Sequence, residues 1–142
     1  MKTKIVAAML FAGGILIGAG SSELIHAQAP TEAPALATRQ IFQTDLNNIP
    51  GQEVLLFAST WQPGYRLPLH MHPEGHEFTY VVEGEQTFEI DGVGTKIVKA
   101  GEVIYTPPNT PHFGRNATDR ESKTIVIRIK ARGQPVSVEV KR

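Results

Sequence analysis

The sequence predicts an all-β domain, either a sandwich or a barrel, on three observations. From Arg39 onward, short segments rich in Val, Ile, Thr, Phe and Tyr recur along the chain. They are separated by Gly, Pro, Asn or Asp, and the 142 residues contain 13 Gly and 10 Pro, which is typical of many turns. No window shows the apolar period of about 3.6 residues that marks an amphipathic helix. Short strands and frequent turns favour a two-sheet or closed β architecture.

Nine predicted strands share this composition. They are Gln40–Thr44, Glu53–Thr60, Phe78–Val82, Gln86–Asp91, Thr95–Lys99, Glu102–Thr106, His112–Asn116, Thr124–Lys130 and Val136–Val140. Asp91-Gly92 and Val93-Gly94 lie between two of these segments, so a β-hairpin is expected there. The chain length is sufficient for one such domain and not for two.

Composition excludes several classes of function. Lys and Arg together number 14, as do Asp and Glu, so the formal net charge is zero. A nucleic-acid-binding protein usually carries a basic excess, and we therefore expect no nucleic-acid partner. The chain contains no Cys, which rules out disulfides, thiolate nucleophiles, iron–sulfur clusters and cysteine zinc sites.

The first thirty residues have a different character from the rest. Lys2 and Lys4 precede an uncharged apolar run over residues 5–20, and the small-residue sequence Ala27-Gln28-Ala29 follows. This order is typical of a secretory signal peptide, cut after Ala27 or Ala29. The alternative is an uncleaved anchor reaching Ile25, but the run is short against the roughly 20 apolar residues that span a bilayer. We expect an exported, periplasmic or secreted protein with no stable membrane insertion after processing.

These features predict the organisation of the chain. Residues 1–29 form the signal peptide, residues 30–52 an N-terminal arm with the first strand, and residues 53–140 the barrel. Within the second segment, residues 30–37 are rich in Ala, Pro and Thr and show no periodic pattern, which is typical of a linker.

Four histidines in two short segments point to a metal site. His70 and His72 are two residues apart, so on a strand they share one face and can bind one ion together. The turn Pro73-Glu74-Gly75 then returns the chain, so that either His76 or Glu77 can join them, and the spacing alone leaves that choice open. Imidazole and carboxylate donors without a thiolate suit Mn, Fe, Co, Ni, Cu or Zn.

Two longer patterns resemble the motifs of the cupin superfamily. The first has five, one, four and six residues between successive members of the series Gly64, His70, His72, Glu77 and Gly84. The second has five, one, two and three residues between successive members of the series Gly101, Pro107, Asn109, His112 and Asn116. Its one departure is Asn109, where the family usually has Gly, and Asn is the residue that best replaces Gly in a left-handed turn.

The resemblance implies a double-stranded β-helix, or jelly-roll barrel, that holds one divalent metal ion. The implied ligands are His70, His72, Glu77 and His112, which favours Glu77 over His76. Barrels of this family are commonly dimers, so we expect a homodimer in which residues 40–44, Phe78 and Tyr80 supply contact surface. Arg128 alternates with Ile127 and Ile129 in the sequence and is expected to face solvent. In the alternative, inward orientation it would suit the carboxylate of a substrate.

Three functions are compatible with such a site. The first is a metal-dependent oxygenase or related oxidoreductase that acts on a small anionic or enolic molecule. The second is a non-catalytic module that binds a small ligand, and the third is a metal-dependent isomerase or lyase. The fold hosts all of them and does not choose the metal, which can be Mn, Fe, Ni, Cu or Zn. No Ser-His-Asp arrangement is recognisable.

Overall fold

A computed structural model describes residues 35–141. Ten strands and no helix are present in this part of the chain, which confirms the predicted all-β class. In chain order the strands are β1 (Leu36–Asp45), β2 (Gln52–Trp61), β3 (His70–Met71), β4 (His76–Glu83), β5 (Glu85–Ile90), β6 (Gly94–Lys99), β7 (Val103–Thr106), β8 (His112–Arg115), β9 (Ser122–Ala131) and β10 (Val138–Glu139). The predicted signal peptide lies outside the described residues. Nothing helical in residues 35–141 is long and apolar enough to cross a membrane.

The strands form two five-stranded antiparallel sheets, the arrangement of a jelly-roll barrel. The first sheet has the order β1-β2-β9-β4-β7, and the second has the order β10-β3-β8-β5-β6. Neighbours in each sheet are mostly distant in sequence, as in Greek-key connections. The predicted hairpin is confirmed, because β5 and β6 pair from Ile90 opposite Gly94 and the turn places Gly92 and Gly94 at positive φ.

Most predicted strands are found with somewhat different bounds, and two elements differ more. The short β3, with two residues, was not among the predicted strands, because so brief a strand leaves no alternation to detect. The longer β1 begins at Leu36, inside the segment expected to be a linker. It is exposed on both faces and is held by its backbone ladder to β2 along nearly its whole length. A strand stabilised by backbone hydrogen bonds needs no apolar alternation, so the sequence pattern does not show where it starts.

The interior between the sheets has an apolar part and a polar part. Val81, Phe88, Ile90 and Val98 form a buried apolar cluster, with Ile104 packed against it. Beside this cluster the buried residues are polar, namely His72, Glu77, Thr79, Thr106 and His112. Burial of polar and ionisable groups is costly unless they are paired or bind a ligand. The polar part of the interior is therefore where function is expected.

Candidate metal centre

The sheet pairing brings the two histidine segments together. His70 on β3 lies directly opposite His112 on β8 in the antiparallel ladder. His72 follows two residues later, and the turn after it returns the chain to β4. In this turn Glu74 adopts φ 51°, and Gly75 donates its backbone N–H to the carbonyl of His72 at 3.3 Å.

The turn also decides which neighbour enters the interior. Glu77 is buried at 4% exposure, whereas His76 is exposed on the opposite face of β4. The His76 ring stacks on Tyr105, and its Nδ1 lies 2.8 Å from the Tyr105 hydroxyl. The structure therefore brings Glu77 to the histidines and leaves His76 outside the cluster.

The donor atoms of His70, His72, Glu77 and His112 converge inside the barrel. One donor atom from each residue can be chosen so that all four lie within 4.8 Å of one another. The Glu77 carboxylate lies between two of the rings, with Oε2 2.9 Å from Nε2 of His72 and Oε1 3.7 Å from Nε2 of His112. Two donors on opposite sides of one ion are about 4.2 Å apart when each metal–donor bond is about 2.1 Å. A small inward movement of these side chains would therefore bring all four donors within bonding distance of one ion.

Hydrogen bonds to the backbone orient all three rings in the same way. The Nδ1 atoms of His70, His72 and His112 lie 2.8, 2.7 and 2.8 Å from the carbonyl oxygens of Pro68, Val136 and Thr110. A carbonyl only accepts, so Nδ1 of His70 and of His112 must carry the proton and donate it. This fixes the tautomer of these two rings and leaves their Nε2 atoms available to a metal ion. Nδ1 of His72 has a further contact, with NH1 of Arg128.

The centre passes a direct test of fit for a cation. Nε2 of His112 is buried and has no hydrogen-bond partner among the described residues. A cavity of about 30 Å³ adjoins it, lined by His70, Glu77, His112 and Arg128 among others. A buried acceptor without a partner is costly, and coordination of an ion would satisfy it. Three imidazole nitrogens and one carboxylate suit a divalent transition metal.

The protonation states favour metal binding at neutral pH. Burial lowers the pKa of His70 to about 4, so this ring is neutral and can coordinate. Burial alone would raise the pKa of Glu77, but the Arg128 guanidinium and the His112 and His72 rings hold it well below its usual value. The carboxylate is therefore ionised. The Thr79 hydroxyl donates to its Oε1 at 3.2 Å, which fixes the orientation of the carboxylate.

Asn109 joins the two histidine segments. It adopts φ 57°, as expected of an Asn that replaces Gly in a left-handed turn. Its backbone N–H donates to the carbonyl of His72 at 2.9 Å, and its side-chain Oδ1 accepts from the backbone N–H of Glu74 at 3.1 Å. The second bond uses a side chain that Gly lacks. Sequence reasoning identified the turn conformation but not this cross-link.

The expectation that Arg128 faces solvent is wrong. Its side chain is only 13% exposed and points into the barrel, where NH2 lies 2.6 Å from Oε2 of Glu77. NH1 lies 2.6 Å from Nε2 of His72 and 3.1 Å from the carbonyl oxygen of Val136. On β9 the inward positions are Thr124, Val126, Arg128 and Lys130, so the isoleucines are the outward residues. The apolar neighbours misled the sequence argument, because this sheet has an apolar outer face.

A larger cavity leads from the centre to the surface. It has a volume of about 360 Å³, and both His70 and Arg128 line it. Phe57, Trp61, Leu67 and Val126 supply much of its apolar wall, and Leu36 and Thr38 of β1 contribute to it. A mostly apolar cavity with a few converging polar groups is the usual form of a small-molecule site.

Together, the fold and the centre define a class: a small jelly-roll barrel with a buried cluster of three histidines and one glutamate that can hold a metal ion. The Cupin domain family matches residues 57–128, and the chain belongs to this family. All four residues of the cluster lie inside the matched range.

Several known proteins are similar to parts of this chain. The polyketide synthase CurC of Streptomyces cyaneus is 36% identical over 64 residues, which are 45% of this chain and 41% of that protein. The germin-like protein subfamily 2 member 2 of Arabidopsis thaliana is 34% identical over 79 residues, 51% of this chain and 36% of that protein. The chain thus spans about two-fifths of the length of these curated relatives. An oxalate oxidase in complex with the substrate analogue glycolate superposes with a TM-score of 0.59 and 25% identity, over 84% of this chain and 62% of the other.

Proposed function

We propose that this protein is a metal-dependent oxidoreductase of the oxygenase type that acts on a small anionic or enolic molecule. The observation that carries the proposal is the convergence of three imidazole rings and one ionised carboxylate at the inner end of an open cavity. Its metal ligands would be His70, His72, Glu77 and His112. A redox-active divalent ion held there supplies Lewis acidity and one-electron chemistry.

The charge of the site favours an anionic substrate. Three neutral rings and one carboxylate leave a divalent ion with a net charge of about +1, which attracts anionic oxygen ligands. The likeness to an oxalate oxidase, whose structure contains the small hydroxy acid glycolate, supports this choice of chemistry. The protein's own groups would orient the substrate. Trp61 and Phe57 exclude water along the wall, and Thr79 holds the Glu77 carboxylate in place.

Oxygen consumption tests the proposal. Protein loaded separately with Fe, Mn, Ni, Cu or Zn is screened with an oxygen electrode against electron-rich phenols, diketones, enols and hydroxy acids. Uptake is expected with at least one redox metal and not with Zn, and Glu77→Ala should abolish it. His76→Ala is the matched control, because His76 lies next to Glu77 and points away from the centre. Tight ligand binding by calorimetry without uptake for any redox metal would indicate a non-catalytic binding module instead.

We also propose that the protein is a homodimer that pairs through the outer face of the first sheet. One cross-strand row on this face runs through all five strands, as Phe42, Leu56, Ile127, Phe78 and Tyr105. Its two end residues, Phe42 and Tyr105, are 50% and 42% exposed. A continuous apolar row on one sheet face is typical of an interaction surface. Light scattering at micromolar concentration should give a dimer mass that Phe78→Lys reduces to the monomer mass, and a monomeric wild type would contradict the assignment.

The location of the protein remains a proposal that rests on the N-terminal sequence alone. The basic start, the apolar run and the Ala27-Gln28-Ala29 sequence support export and a mature chain that begins at Gln28 or Pro30. Intact-mass analysis of the periplasmic or secreted fraction would detect one of these two products. A full-length product in the membrane fraction would contradict the proposal.

A further inference from the structure

Arg128 contacts two of the four expected metal ligands. Its NH2 lies 2.6 Å from Oε2 of Glu77, and its NH1 lies against both ring nitrogens of His72, closer to Nδ1 than to Nε2. The guanidinium thus holds a positive charge beside two of the side chains that a metal ion would use. Because like charges repel strongly in a buried site, the guanidinium opposes the binding of a metal ion there.

A metal ion bound to His72 and Glu77 should therefore displace the Arg128 guanidinium. The side chain already lines the larger cavity, which is the open space beside the centre. Its Nε–H is buried and has no partner among the described residues, so the site already contains one unsatisfied donor. Displacement would release further donors into an apolar environment, where unpaired charge is costly.

We propose that Arg128 binds the carboxylate of the substrate and does so only when the metal ion has released it from Glu77 and His72. This assignment rests on the proposed function and adds its substrate class, a compact monocarboxylate with an apolar body. A guanidinium binds a carboxylate through two parallel hydrogen bonds. After displacement, the Nε–H and one terminal NH group on the same edge of Arg128 would be free to make these two bonds.

Charge and shape in the cavity favour this class over others. With a divalent ion, the Glu77 carboxylate and the Arg128 guanidinium, the formal charge of the centre is about +2, which requires anionic ligands. The remaining wall is largely apolar, with Phe57, Trp61 and Val126 facing the cavity. Glu139, an exposed residue at the same cavity, disfavours a second carboxylate on the ligand. A neutral amide of the same shape has no negative charge and only one acceptor oxygen, so it binds a guanidinium more weakly than a carboxylate does.

Binding of metal and of carboxylate should consequently be coupled. Zn²⁺ is the metal probe, phenylacetate is the anion probe and phenylacetamide is the neutral control, all measured by calorimetry. Wild-type protein should bind phenylacetate at least tenfold more tightly with Zn²⁺ than without it, a typical size for coupling between sites. It should show no such gain for phenylacetamide.

Variants of Arg128 separate this proposal from the metal site itself. Arg128→Met should bind Zn²⁺ about tenfold more tightly than wild type, because the competing cation is gone, and should bind phenylacetate at least tenfold more weakly. Arg128→Lys keeps the charge and supports folding, but it should recover only part of the phenylacetate affinity because an ammonium lacks the planar fork. Arg120→Met is the control, since that side chain is 89% exposed and its ion pair is with Asp119, outside the cluster.

The outcomes distinguish the two proposals. Failure of wild-type protein to bind Zn²⁺ would overturn the metal centre and with it the proposed function. Normal Zn²⁺ binding together with unchanged phenylacetate affinity in both Arg128 variants would overturn the role of Arg128 alone. If Arg128→Met does not fold, the comparison of Arg128→Lys with wild type decides the same question.

Discussion

Two buried ion pairs lie two residues apart on β9, and they differ in how completely they are satisfied. Lys130 pairs with Glu53 at 2.6 Å, and its ammonium also donates to the carbonyl oxygens of Ala131 and Gln134. The second oxygen of Glu53 accepts from the Gln43 side chain at 2.6 Å. All three ammonium donors are used, and the pair joins β2 and β9 to the turn that follows.

The other pair differs at its cation, which is not fully satisfied. Arg128 pairs with Glu77 at 2.6 Å, but its Nε has no partner in the described part of the chain, and neither has Nε2 of neighbouring His112. Two cavities adjoin this pair. Pairs of similar charge and burial can therefore play different roles. The satisfied pair stabilises the fold, and the unsatisfied pair indicates a site that binds something further.

The largest expected difference between the pairs concerns stability in the presence of metal. Lys130→Met leaves the Glu53 carboxylate without its cation and should cost about 3–5 kcal/mol of unfolding free energy, with or without Zn²⁺. Arg128→Met should also destabilise the metal-free protein, but saturating Zn²⁺ should restore it, because the ion supplies the missing positive charge to Glu77. Chemical denaturation of both variants, with and without Zn²⁺, measures this. If Zn²⁺ also restored the stability of Lys130→Met, the two ion pairs would not differ in this respect.

The second comparison is between two histidines on different sheets, His112 on the inner face of β8 and His76 on the outer face of β4. His112→Ala removes a buried ring whose Nε2 is free to coordinate, and Zn²⁺ affinity should fall at least about 100-fold, or about 3 kcal/mol. His76→Ala should leave Zn²⁺ affinity unchanged, since His76 contacts Tyr105 on the outer face. Elemental analysis after gel filtration gives the metal content of each variant. Metal loss in His76→Ala with retention in His112→Ala would show that the ligand assignment is wrong.

The sequence predicted much of the candidate metal centre, and the residues that it did not predict were missed for physical reasons. The spacing predicted that His70 and His72 lie close to either His76 or Glu77. The motif resemblance favoured Glu77, which the structure buries in the cluster. Residues that share a strand face or a turn are local features, so the sequence reveals them.

Arg128 and Lys130 could not be interpreted in the same way. Both lie on a strand whose outward residues are apolar, so the usual rule that apolar residues point inward gave the wrong face for Arg128. That rule fails where an outer sheet face is itself apolar and the interior holds a charged site. The partners Glu77 and Glu53 are 51 and 77 residues away in sequence, and no local pattern connects them.

The pH dependence of stability should separate the two regions. The pKa of His70 is lowered to about 4 by burial, whereas a His in the unfolded chain titrates near 6.5. The unfolded state therefore binds more protons between these values, and metal-free protein should lose stability as the pH falls from about 6.5, by about 2.5 kcal/mol at pH 4.5.

The region of Glu53 should respond only at lower pH. The hydrogen bonds from Lys130 and Gln43 hold the pKa of Glu53 below its usual value, so its contribution is present above about pH 4.5 and is lost below it. Denaturation of wild type and His70→Gln across this range measures both effects. The variant should lose the slope above pH 4.5 and keep the slope below it, and an unchanged upper slope would show that His70 is not its cause.

The smallest expected effect comes from the neutral donors that support each carboxylate. The Thr79 hydroxyl donates to Glu77, and the Gln43 amide donates to Glu53. Thr79→Val keeps the shape of a fully buried side chain but removes the donor that orients Glu77, a proposed metal ligand, so Zn²⁺ affinity should fall about tenfold, or about 1.4 kcal/mol. Gln43→Leu should cost about 1 kcal/mol of stability and leave Zn²⁺ affinity unchanged. Competition with a chromophoric chelator resolves a tenfold change in affinity. Equal Zn²⁺ affinities for the two variants would mean that Thr79 supports the fold and not the centre.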